Sequence, residues 1–441
     1  MDKQPHPVLE RFAGNPIMEP RQGIGWESKA VFNPAAIYEG GKVHIVYRAI
    51  GDSDESVLGY ACSNDGFHID ERLTFPIFCQ QGTYCGDSLL SLPAEDHHVT
   101  YLLAKNGEAE EEKVKEVAYI SGGGSFGGCE DPRLTRIGDR IYMTYVAYDG
   151  YSPPRVALTS ISAVDFLARR WRWERPVLIS RLGVVNKNAC ILPEKIGSKY
   201  VIFHRVYPDI LIDFVDDLNF DGKTRWLRGD FKIKPRDDKW DSRKVGAGAP
   251  PIKTKAGWLL IYQGIGERDP GRYKIGAMLL DLKDPAKVIY RADEPILQPM
   301  ERYENEGWKA GVVYPCGAVV IGGRLFVYYG GADKVTCVAT VDLNDFIKKL
   351  TGARTSAAGA GISHPGTGAR EPRSTVTSPS GVPVPGIEKV IDKFIQAYCV
   401  KCRRMQIMKN PRPVILKNGQ PAVHEICPKC GGKMFRIGKI P

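Results

Sequence analysis

One sequence pattern recurs five times within the first 330 residues and constrains the fold more than any other feature. Each copy contains a proline, a turn signal with glycine, and an apolar stretch with an aromatic residue near its end. The proline and the aromatic residue are 12 or 13 residues apart in four copies, as from Pro34 to Tyr47, whereas the third copy is shorter and has Phe203 and His204 at the aromatic position. The copies are NPAAIYEGGKVHIVYR (33–48), DPRLTRIGDRIYMTYV (131–146), LPEKIGSKYVIFHR (192–205), APPIKTKAGWLLIYQG (249–264) and YPCGAVVIGGRLFVYYG (314–330).

Each copy predicts two antiparallel strands joined by a tight turn, and a further strand usually follows. Alternating, β-branched and aromatic-rich segments at this spacing favour an all-β fold. The prolines of consecutive copies are 98, 61, 57 and 65 residues apart, which is long for a hairpin but suits a four-stranded blade. We therefore predict a five-bladed β-propeller. A sandwich is the main alternative, but it does not explain the recurrence.

The composition predicts three parts of the chain. Residues 1–350 are the predicted propeller, and an apparent insertion from about Gln80 to Gly128 holds a charge run that is typical of a solvated surface segment. Residues 351–387 consist mainly of Gly, Ala, Ser, Thr and Pro, and they cannot bury enough apolar surface to fold, so we expect a flexible linker. Residues 388–441 are predicted to form a small separate domain.

Four cysteines of this small domain have the spacing of metal ligands. Cys399 and Cys402 form one C-x-x-C pair, Cys427 and Cys430 form another, and 24 residues separate the pairs. Four thiolates complete the shell of a structural zinc ion, so we predict a zinc-ribbon-like domain that depends on its metal to fold. Two redox or disulfide pairs are the alternative, but no thioredoxin-like βαβ pattern surrounds them.

The chain is predicted to be cytoplasmic, with no membrane partner. Its N-terminal segment lacks the apolar core of a signal peptide, and no apolar run approaches the roughly 18 residues that span a bilayer. Eleven cysteines in such a chain are expected to be mostly thiols. The net charge of +10 is weak support for anionic ligands. The basic residues of the tail are compatible with contact to nucleic acid or protein, and equally with a surface that only increases solubility. These residues are Lys401, Arg403, Arg404, Lys409 and Arg412.

Two adjacent carboxylates, Glu130 and Asp131, stand in the segment GGCEDPRLTRIG after a flexible glycine run. Taken alone, the segment is compatible with a turn that Asp131 caps or with an active-site loop. In a propeller, the loops at one mouth of the channel build the site, so the ends of the repeats become candidate positions. These positions hold Asn33, Glu130, Asp131, Lys187, Asn188, Gly248 and Ala249 at the beginning of repeats, and Arg48, His204, Arg205, Gln263 and Asp333 after the strands.

Motifs from all five repeats resemble the glycoside hydrolase family 130 mannoside phosphorylases, and the resemblance covers roughly residues 8–348. These motifs are GGCEDPRLTRIGDRIYMTYVAYDG, NPAAIYEGGKVHIVYRA, KIGSKYVIFHRVYPDI, VGAGAPPIKTKAGWLLIYQG and YPCGAVVIGGRLFVYYGGADKVTCVAT. The resemblance implies a five-bladed propeller and a reversible, inverting phosphorolysis of β-mannosides that gives α-mannose 1-phosphate. The implied partners are β-1,2- or β-1,4-linked manno-oligosaccharides, with inorganic phosphate as co-substrate. The acceptor sugar, the direction of flux and the presence of a homo-oligomer stay open.

The resemblance also assigns roles to residues. Inverting cleavage needs an acid for the leaving oxygen, and a phosphate nucleophile needs cations rather than a second carboxylate. Asp131 is the implied general acid, acting directly or through a sugar hydroxyl, while Arg133 is an alternative structural partner of the acids. The chain departs from many relatives at Gln263, where they have histidine, and at 186–189, where NKNA replaces HKDA. The implied sugar-binding residues are Asn33, Arg48, Glu130 and Asp333, and the implied phosphate ligands are Arg155, Lys187, His204 and Tyr262, with Arg205 as a further candidate.

Two other functions compete with this one. A hydrolase on the same fold would need a second carboxylate as base with room for a water molecule. The cationic residues argue against it, because water needs no cation cluster. A non-catalytic sugar-binding protein is the third hypothesis, and it predicts the loss of the acid that is present as Asp131.

Overall fold

The computed structural model describes residues 8–79, 124–125, 127–150 and 152–352, together with the tail segments 395–399, 404–408, 412–415, 421–427, 429–431 and 433–437. Most of the predicted 80–128 insertion and of the 351–387 linker lies outside the described residues. The chain divides into two compact units, Met1–Gly359 and Ala360–Pro441. The exact boundaries of the three predicted parts stay predictions.

The first unit consists almost entirely of β-strands, so the all-β prediction is confirmed. Its first nine strands are β1 (Glu10–Arg11), β2 (Ala30–Glu39), β3 (Lys42–Ile50), β4 (Ser56–Ser63), β5 (Glu71–Arg72), β6 (Gly128–Ile137), β7 (Arg140–Tyr148), β8 (Arg155–Ser162) and β9 (Val177–Leu178). They are followed by β10 (Lys187–Ile191), β11 (Tyr200–Val206), β12 (Asp209–Val215), β13 (Phe231–Ile233), β14 (Lys244–Ala247), β15 (Ile252–Thr254), β16 (Gly257–Ile265), β17 (Lys274–Leu280), β18 (Val288–Arg291), β19 (Val313–Ile321), β20 (Arg324–Gly331) and β21 (Val335–Asp342).

Neighbouring strands pair in antiparallel order, as the repeats predict. Strands β10–β13 form one sheet, β14–β18 form a second, and β1 joins β19–β21 in a third. Strands β2–β5 and β6–β9 are two further groups, which share one sheet only through a parallel pairing of Ser56 with Gly128. Gly128 has φ of 101°, and a Cβ atom there would overlap the Ser56 carbonyl, so the close approach requires glycine. Whether these sheets close into five blades stays a prediction at this point.

Short helices complete the described part of the first unit. The α-helices are α1 (Ala163–Leu167) and α2 (Leu343–Thr351), and 3-10 helices cover Gly25–Glu27 and Arg302–Glu304. No helix in the described ranges is long and apolar enough to cross a membrane. Cys79 is disulfide-bonded. Among the described residues of the first unit, the buried cysteines that are not in disulfides are Cys62, Cys129, Cys190, Cys316 and Cys337.

A β-bulge interrupts the first strand of several repeats. The register shifts between Phe32 and Ala35, between Glu130 and Arg133, and between Lys187 and Cys190. At each bulge one non-glycine residue has a left-handed backbone, with φ of 49°, 49° and 58°; these residues are Asn33, Asp131 and Asn188. Asn and Asp tolerate this conformation better than other side chains. The bulges therefore re-aim one polar side chain from each of three strands.

The aromatic residues of the repeat stabilise the sheets through buried carboxylates. In one sheet, the Tyr262 hydroxyl donates to Asp241 Oδ2 at 2.7 Å, and Arg291 Nη2 donates to the same oxygen at 2.5 Å. Asp241 is fully buried, so it needs both partners. The same trio of carboxylate, tyrosine and arginine recurs in two other sheets as Glu27 with Tyr47 and Arg72, and as Glu304 with Tyr329 and Arg11.

The tail contains two small antiparallel sheets. One is a hairpin and the other has three strands in the order of the chain. Their strands are β22 (Ile395–Cys399), β23 (Arg404–Met408), β24 (Arg412–Ile415), β25 (Pro421–Ile426) and β26 (Lys433–Ile437).

Candidate active site

Asp131 lies at the bulge of β6 and is held by three donors. Its Oδ1 atom accepts hydrogen bonds from Asn33 Nδ2 at 2.7 Å and from Arg48 Nη1 at 3.3 Å. Its main-chain carbonyl accepts one from Arg133 Nη1 at 2.8 Å. Burial raises the pKa of Asp131, but the charges of Arg48 and Arg133 outweigh burial and lower the pKa below its usual value. Asp131 is therefore ionised in the free protein.

Arg48 joins Asp131 to the neighbouring carboxylate of Glu130. Its Nη2 atom donates to Glu130 Oε1 at 3.1 Å and to Ser125 Oγ at 2.8 Å. On the other side, Lys187 Nζ donates to Glu130 Oε2 at 3.3 Å. Burial lowers the pKa of Arg48, but the carboxylates of Glu130 and Asp131 outweigh it and raise the pKa. The guanidinium of Arg48 thus provides one permanent positive charge that both acids contact.

Asn33 brings a buried acceptor to this cluster. Its amide nitrogen is bound to Asp131, while its Oδ1 atom is buried and has no hydrogen-bond partner among the described residues. A buried polar atom without a partner costs about 1–3 kcal/mol. A hydroxyl group of a ligand next to Asp131 would supply the missing donor.

Asp333 is the third buried acid of the site. Burial is the largest influence and raises its pKa, whereas the charges of Lys309 and Arg48 lower it. The charges of Asp131 and Glu130 add to the rise, and the pKa of Asp333 reaches about 6. Its backbone is left-handed, with φ of 53°. This acid therefore titrates close to neutral pH, unlike Asp131.

A small cavity beside β14 and β16 has a cationic lining. Arg205, Lys244 and Tyr273 line it, with Asn188 and Tyr314. Lys244 Nζ donates to the Tyr273 hydroxyl at 2.7 Å, and Arg205 Nε donates to Asn188 Oδ1 at 2.6 Å. The cavity thus brings two cations to one phenol.

The direction of the Tyr273 pKa shift indicates a positive potential in the cavity. Burial lowers the pKa of Lys244 to about 8. Burial raises the pKa of Tyr273, but the charges of Lys244, Lys309 and Arg205 outweigh it and lower the pKa to about 8. Lys309 Nζ lies 4.3 Å from the centre of the Tyr273 ring. A cavity that promotes ionisation of a phenol also favours a bound anion.

Two residues connect this cavity with the acid cluster. The Tyr314 hydroxyl accepts a hydrogen bond from Asn188 Nδ2 at the cavity, and the Tyr314 ring lies 5.8 Å from the guanidinium carbon of Arg133. Lys309 contacts the cavity through its side chain and also lowers the pKa of Asp333. The acids and the cationic cavity are therefore neighbours in the fold.

The structure brings most of the predicted sugar-binding residues together. The predicted phosphate ligand Lys187 belongs to the acid cluster, where it pairs with Glu130. Asp333 interacts with the cluster through its charge. Hydrogen bonds and ion pairs connect Asn33, Arg48, Glu130, Asp131 and Lys187.

Two other predicted phosphate ligands have their polar atoms bound inside the sheets. The Tyr262 hydroxyl donates to Asp241, and both residues are fully buried. The two ring nitrogens of His204 are hydrogen-bonded to Asp213 Oδ2 at 2.8 Å and to the side-chain amide of Asn186. A phosphate would have to displace these buried partners. We therefore leave Tyr262 and His204 out of the phosphate site proposed below.

Arg155 is the remaining predicted phosphate ligand. Its Nε and Nη2 atoms donate to the Ser180 carbonyl at 2.9 and 2.6 Å. Its guanidinium lies over the Trp226 ring, 5.0 Å from the ring centre. A phosphate role for Arg155 stays a prediction.

Several site residues were missed by sequence reasoning. Ser125, Lys244, Tyr273 and Lys309 were not proposed, and Asn188 was noted only as a repeat position. Lys244 stands shortly before the fourth repeat, in the segment KVGAGAPP. Its closeness to the beginning of a repeat is the sequence signal that could have identified it as a site residue. Lys309 belongs to a segment outside the repeats, where no periodic pattern marks it.

Three of the four predicted zinc ligands of the tail have a described backbone position. Cys399 ends β22, Cys427 follows β25, and Cys430 precedes β26. Cys427 is 2% exposed, and its carbonyl accepts a hydrogen bond from the Gly431 N–H at 3.0 Å. Cys402 and the side chain of Cys399 lie outside the described residues. The described ranges alone contain no group of three His, Cys, Asp or Glu side chains that could hold a metal.

Comparison with known proteins matches most of the first unit to one protein family. A family model described as beta-1,4-mannooligosaccharide phosphorylase (Glyco_hydro_130) matches residues 94–351. A 1,2-beta-oligomannan phosphorylase of Thermoanaerobacter sp. (strain X514) is 38% identical over 350 residues, which cover 76% of this chain and 98% of that protein. The chain belongs to glycoside hydrolase family 130. In the tail, residues 398–437 match a domain of unknown function (DUF5679).

Further family 130 proteins show similar coverage. A beta-1,2-mannobiose phosphorylase of the same Thermoanaerobacter strain is 35% identical and covers 76% of this chain and 97% of its own length. A solved structure is 26% identical, with a TM-score of 0.58, and covers 78% of this chain and 96% of its own. The description of that structure states that the GH130 family of mannoside phosphorylases contains glycoside hydrolases that target beta-1,2 mannosidic linkages in Candida mannan. The match extends over nearly the whole length of each relative.

In this family 130 protein, the pKa values of Asp131 and Asp333 are shifted in opposite directions, which predicts opposite effects of the two acids on stability. The lowered pKa of Asp131 stabilises the folded state above the unfolded pKa of about 3.9, and this contribution is lost as the pH falls through the folded value. We expect Asp131→Asn to lower the free energy of unfolding at pH 7, with a smaller loss towards acid pH. Urea unfolding followed by circular dichroism at several pH values measures the effect.

Asp333→Asn is expected to act in the other direction. The raised pKa of Asp333 destabilises the folded state at neutral pH, and this cost develops between the unfolded pKa and the folded value of about 6. The substitution should therefore raise the free energy of unfolding at pH 7 by on the order of 3 kcal/mol. The gain should shrink as the pH falls below about 6. A loss of stability that does not change with pH would contradict this account of Asp333.

Proposed function

We propose that the protein is an inverting phosphorylase that cleaves β-mannosides with inorganic phosphate and releases α-mannose 1-phosphate. One observation carries the proposal: the acids around Asp131 and the cationic cavity around Lys244 belong to one site, which Lys309 and Tyr314 connect. An inverting hydrolase needs two carboxylates and a water molecule. A phosphorylase needs one acid and a place for a phosphate dianion, which this cavity offers.

The acid cluster is suited to hold the mannose residue whose bond is cleaved. The unpartnered Asn33 Oδ1 atom and the carboxylates of Glu130 and Asp333 accept hydrogen bonds from sugar hydroxyls. Arg48 fixes the orientation of Glu130 and Asp131 through an ion pair with each of them. We place the anomeric carbon between Asp131 and the cationic cavity, because inversion requires the leaving oxygen and the nucleophile on opposite faces.

Asp131 is the proposed proton donor, and its charge state depends on phosphate. In the free protein, Arg48 and Arg133 keep it ionised. A bound phosphate adds negative charge near these cations and so raises the pKa of Asp131, which allows the carboxyl to take up a proton. The proton then passes to the leaving oxygen, directly or through a sugar hydroxyl. The bond between the anomeric carbon and the leaving oxygen breaks as the phosphate oxygen forms the new bond.

The proposed phosphate ligands are the cations of the cavity. Arg205 and Lys244 line it, and Lys309 reaches it from the side of Asp333. Tyr273 can donate its hydroxyl proton to a phosphate oxygen. Together these groups offset the charge of a dianion and stabilise the charge that develops in the transition state. Lys187 stays in the acid cluster as a partner of Glu130.

For the substrate, we propose β-1,2-linked manno-oligosaccharides. The two relatives that are 38% and 35% identical are named for β-1,2-oligomannan and β-1,2-mannobiose. A β-1,4-linked substrate is the alternative that the matching family model names. The cytoplasmic location stays a prediction that fits the use of intracellular phosphate.

The decisive experiment incubates the protein with β-1,2- and β-1,4-mannobiose, with and without phosphate. We expect phosphate-dependent release of mannose 1-phosphate, and faster release from the β-1,2 substrate. The Asp131→Asn variant should lower kcat/KM by at least about a thousandfold, because both acid catalysis and its electrostatic setting are lost. Asp139→Asn is the matched control, since Asp139 lies exposed in the β6–β7 turn of the same hairpin.

Mannose release that is indifferent to phosphate would contradict the phosphorylase and establish the hydrolase. The titration of Asp333 near neutral pH is the observation that keeps the hydrolase as second candidate, because such an acid can serve as general base. Sugar binding without any turnover would leave the non-catalytic alternative. Full activity of Asp131→Asn would show that another group is the proton donor.

The pH dependence of phosphate binding tests the cationic cavity. Lys244 loses its charge and Tyr273 gains one as the pH rises through about 8, so both changes disfavour a bound anion. We expect the KM for phosphate to rise above pH 8 in the wild type. Lys244→Gln should raise the KM for phosphate roughly tenfold at pH 7, the loss of one charge-assisted hydrogen bond.

The control for this variant is Lys255→Gln, an exposed lysine in the turn before β16. It should leave the KM for phosphate unchanged. The KM for the sugar should change little in both variants. An unchanged phosphate KM in Lys244→Gln would place the phosphate elsewhere.

The closure of the first unit into a five-bladed propeller is also part of the proposal. Strand β2 contacts β6 and β19, β6 contacts β10, β10 contacts β14, and β16 contacts β19, so the inner strands follow one another in a ring. Side chains add to these contacts, as Thr336 Oγ1 donates to the Val31 carbonyl at 2.9 Å. The pairing of β1 with β21 joins the first strand to the last sheet. A crystal structure in which β2 and β19 are not neighbours would refute the closure.

For the tail we propose a structural zinc ion held by Cys399, Cys402, Cys427 and Cys430. Cys399 ends β22, Cys427 and Cys430 lie between β25 and β26, and β22 contacts β26, which supports bringing the cysteines together. The ion would cross-link a domain too small to fold on its own core. Metal analysis should find one zinc per chain, and Cys430→Ser should lose it, whereas Lys429→Ala should retain it. A folded, zinc-free tail would rule the proposal out.

A further inference from the structure

Trp308 is a large aromatic side chain at the edge of the site that the proposed catalytic steps do not use. It lies in the segment that leads into β19, and 54% of its surface is exposed. Its position is defined by contacts on two sides, and both lead to residues of the site.

On one side, the Trp308 ring packs against the backbone of Gly124. A Cβ atom at this glycine would lie 2.8 Å from Cε3 of the ring, and its φ of 80° is left-handed. The next residue, Ser125, is fully buried and contacts both Arg48 and Glu130. One edge of the ring is thus one residue away from the acid cluster.

On the other side, the segment around Trp308 is attached to the turn that carries Asp333. The Lys309 N–H donates to the Ala332 carbonyl at 3.1 Å. Gly307 packs so closely on the same carbonyl that a Cβ atom would overlap it. The backbone of residues 307–309 is therefore fixed relative to Asp333, and the Trp308 ring is held in place by the fold.

The side chains of Trp308 and Lys309 reach to different parts of the site. Lys309 reaches the Tyr273 ring in the cationic cavity, whereas Trp308 reaches Gly124 beside the acid cluster. An inverting displacement needs the phosphate on one face of the mannose and the leaving sugar on the other. With the phosphate in the cavity, the leaving sugar comes to lie on the side of Trp308.

We propose that Trp308 forms a wall of the subsite for the leaving sugar, where its ring stacks on the apolar face of a mannose residue. This inference rests on the proposed function. A half-exposed aromatic ring beside convergent polar groups is the usual composition of a ligand pocket. An indole ring offers a large apolar surface at a small cost in conformational entropy. Trp308 thereby determines which acceptor sugars the enzyme uses in the synthetic direction.

The test measures synthesis from α-mannose 1-phosphate with β-1,2-mannobiose as acceptor, by the release of phosphate. Trp308→Ala should raise the KM for the acceptor roughly tenfold, and Trp308→Phe should restore most of the affinity, because both aromatic rings can stack. The KM for mannose 1-phosphate should stay within about twofold of the wild type, because the stacking contact that the variants lose is made to the acceptor sugar. Tyr290→Ala, at a 42% exposed tyrosine of β18, is the control and should change neither constant.

An unchanged acceptor KM in Trp308→Ala would overturn the inference, as would an equal rise in both KM values. If the wild type releases no phosphate, the proposed function has failed, and titration calorimetry with β-1,2-mannobiose in phosphate-free buffer then decides the role of Trp308. Binding weakened roughly tenfold in Trp308→Ala, with near-normal binding in Trp308→Phe, would support a sugar platform. Equal affinity of wild type and Trp308→Ala would refute it.

Discussion

The buried guanidinium of Arg48 is the interaction on which the site depends. Two adjacent carboxylates, Glu130 and Asp131, approach each other away from water, where like charges repel and burial favours the protonated forms. Arg48 contacts both acids, and Lys187 compensates the remaining oxygen of Glu130. Such a pair contributes little net stability, since the desolvation of the ions offsets their attraction. Its effect is to keep Asp131 ionised and fixed until a ligand changes the local charge.

Backbone strain at the bulges is the second requirement of the site. Asn33, Asp131 and Asn188 have left-handed backbones, each at a bulge of a first strand. Conformations of this kind cost of order 1–3 kcal/mol each and persist only where the surroundings hold them. The antiparallel ladders and the buried trios of acid, tyrosine and arginine supply that support farther out in the sheets. Site and scaffold therefore use different residues of the same repeat.

The sequence predicted one half of the site better than the other for a physical reason. Asp131 and its partners stand at repeat positions, and the repeat places equivalent residues at equivalent points of the sheets. Tyr262 also stands at a repeat position, yet its hydroxyl points to the buried Asp241. Strand periodicity gives the face of a residue but not the partner of its polar atom. Lys309 was not predictable, because its segment has no periodicity and is held at the cavity by backbone hydrogen bonds to residues distant in the sequence, such as Ala332.

The sequence by itself determined the all-β class, the positions of the hairpins, the acid pair and the family, because these depend on local alternation, turn residues and motifs. The tertiary structure alone decided which cations form a cavity, that Asp131 and Asp333 have opposite pKa shifts, and that Trp308 lies at the rim. These properties depend on burial and on charges that residues far apart in the chain bring together. Distances of a few ångströms between such residues are set by packing, and no local pattern encodes them.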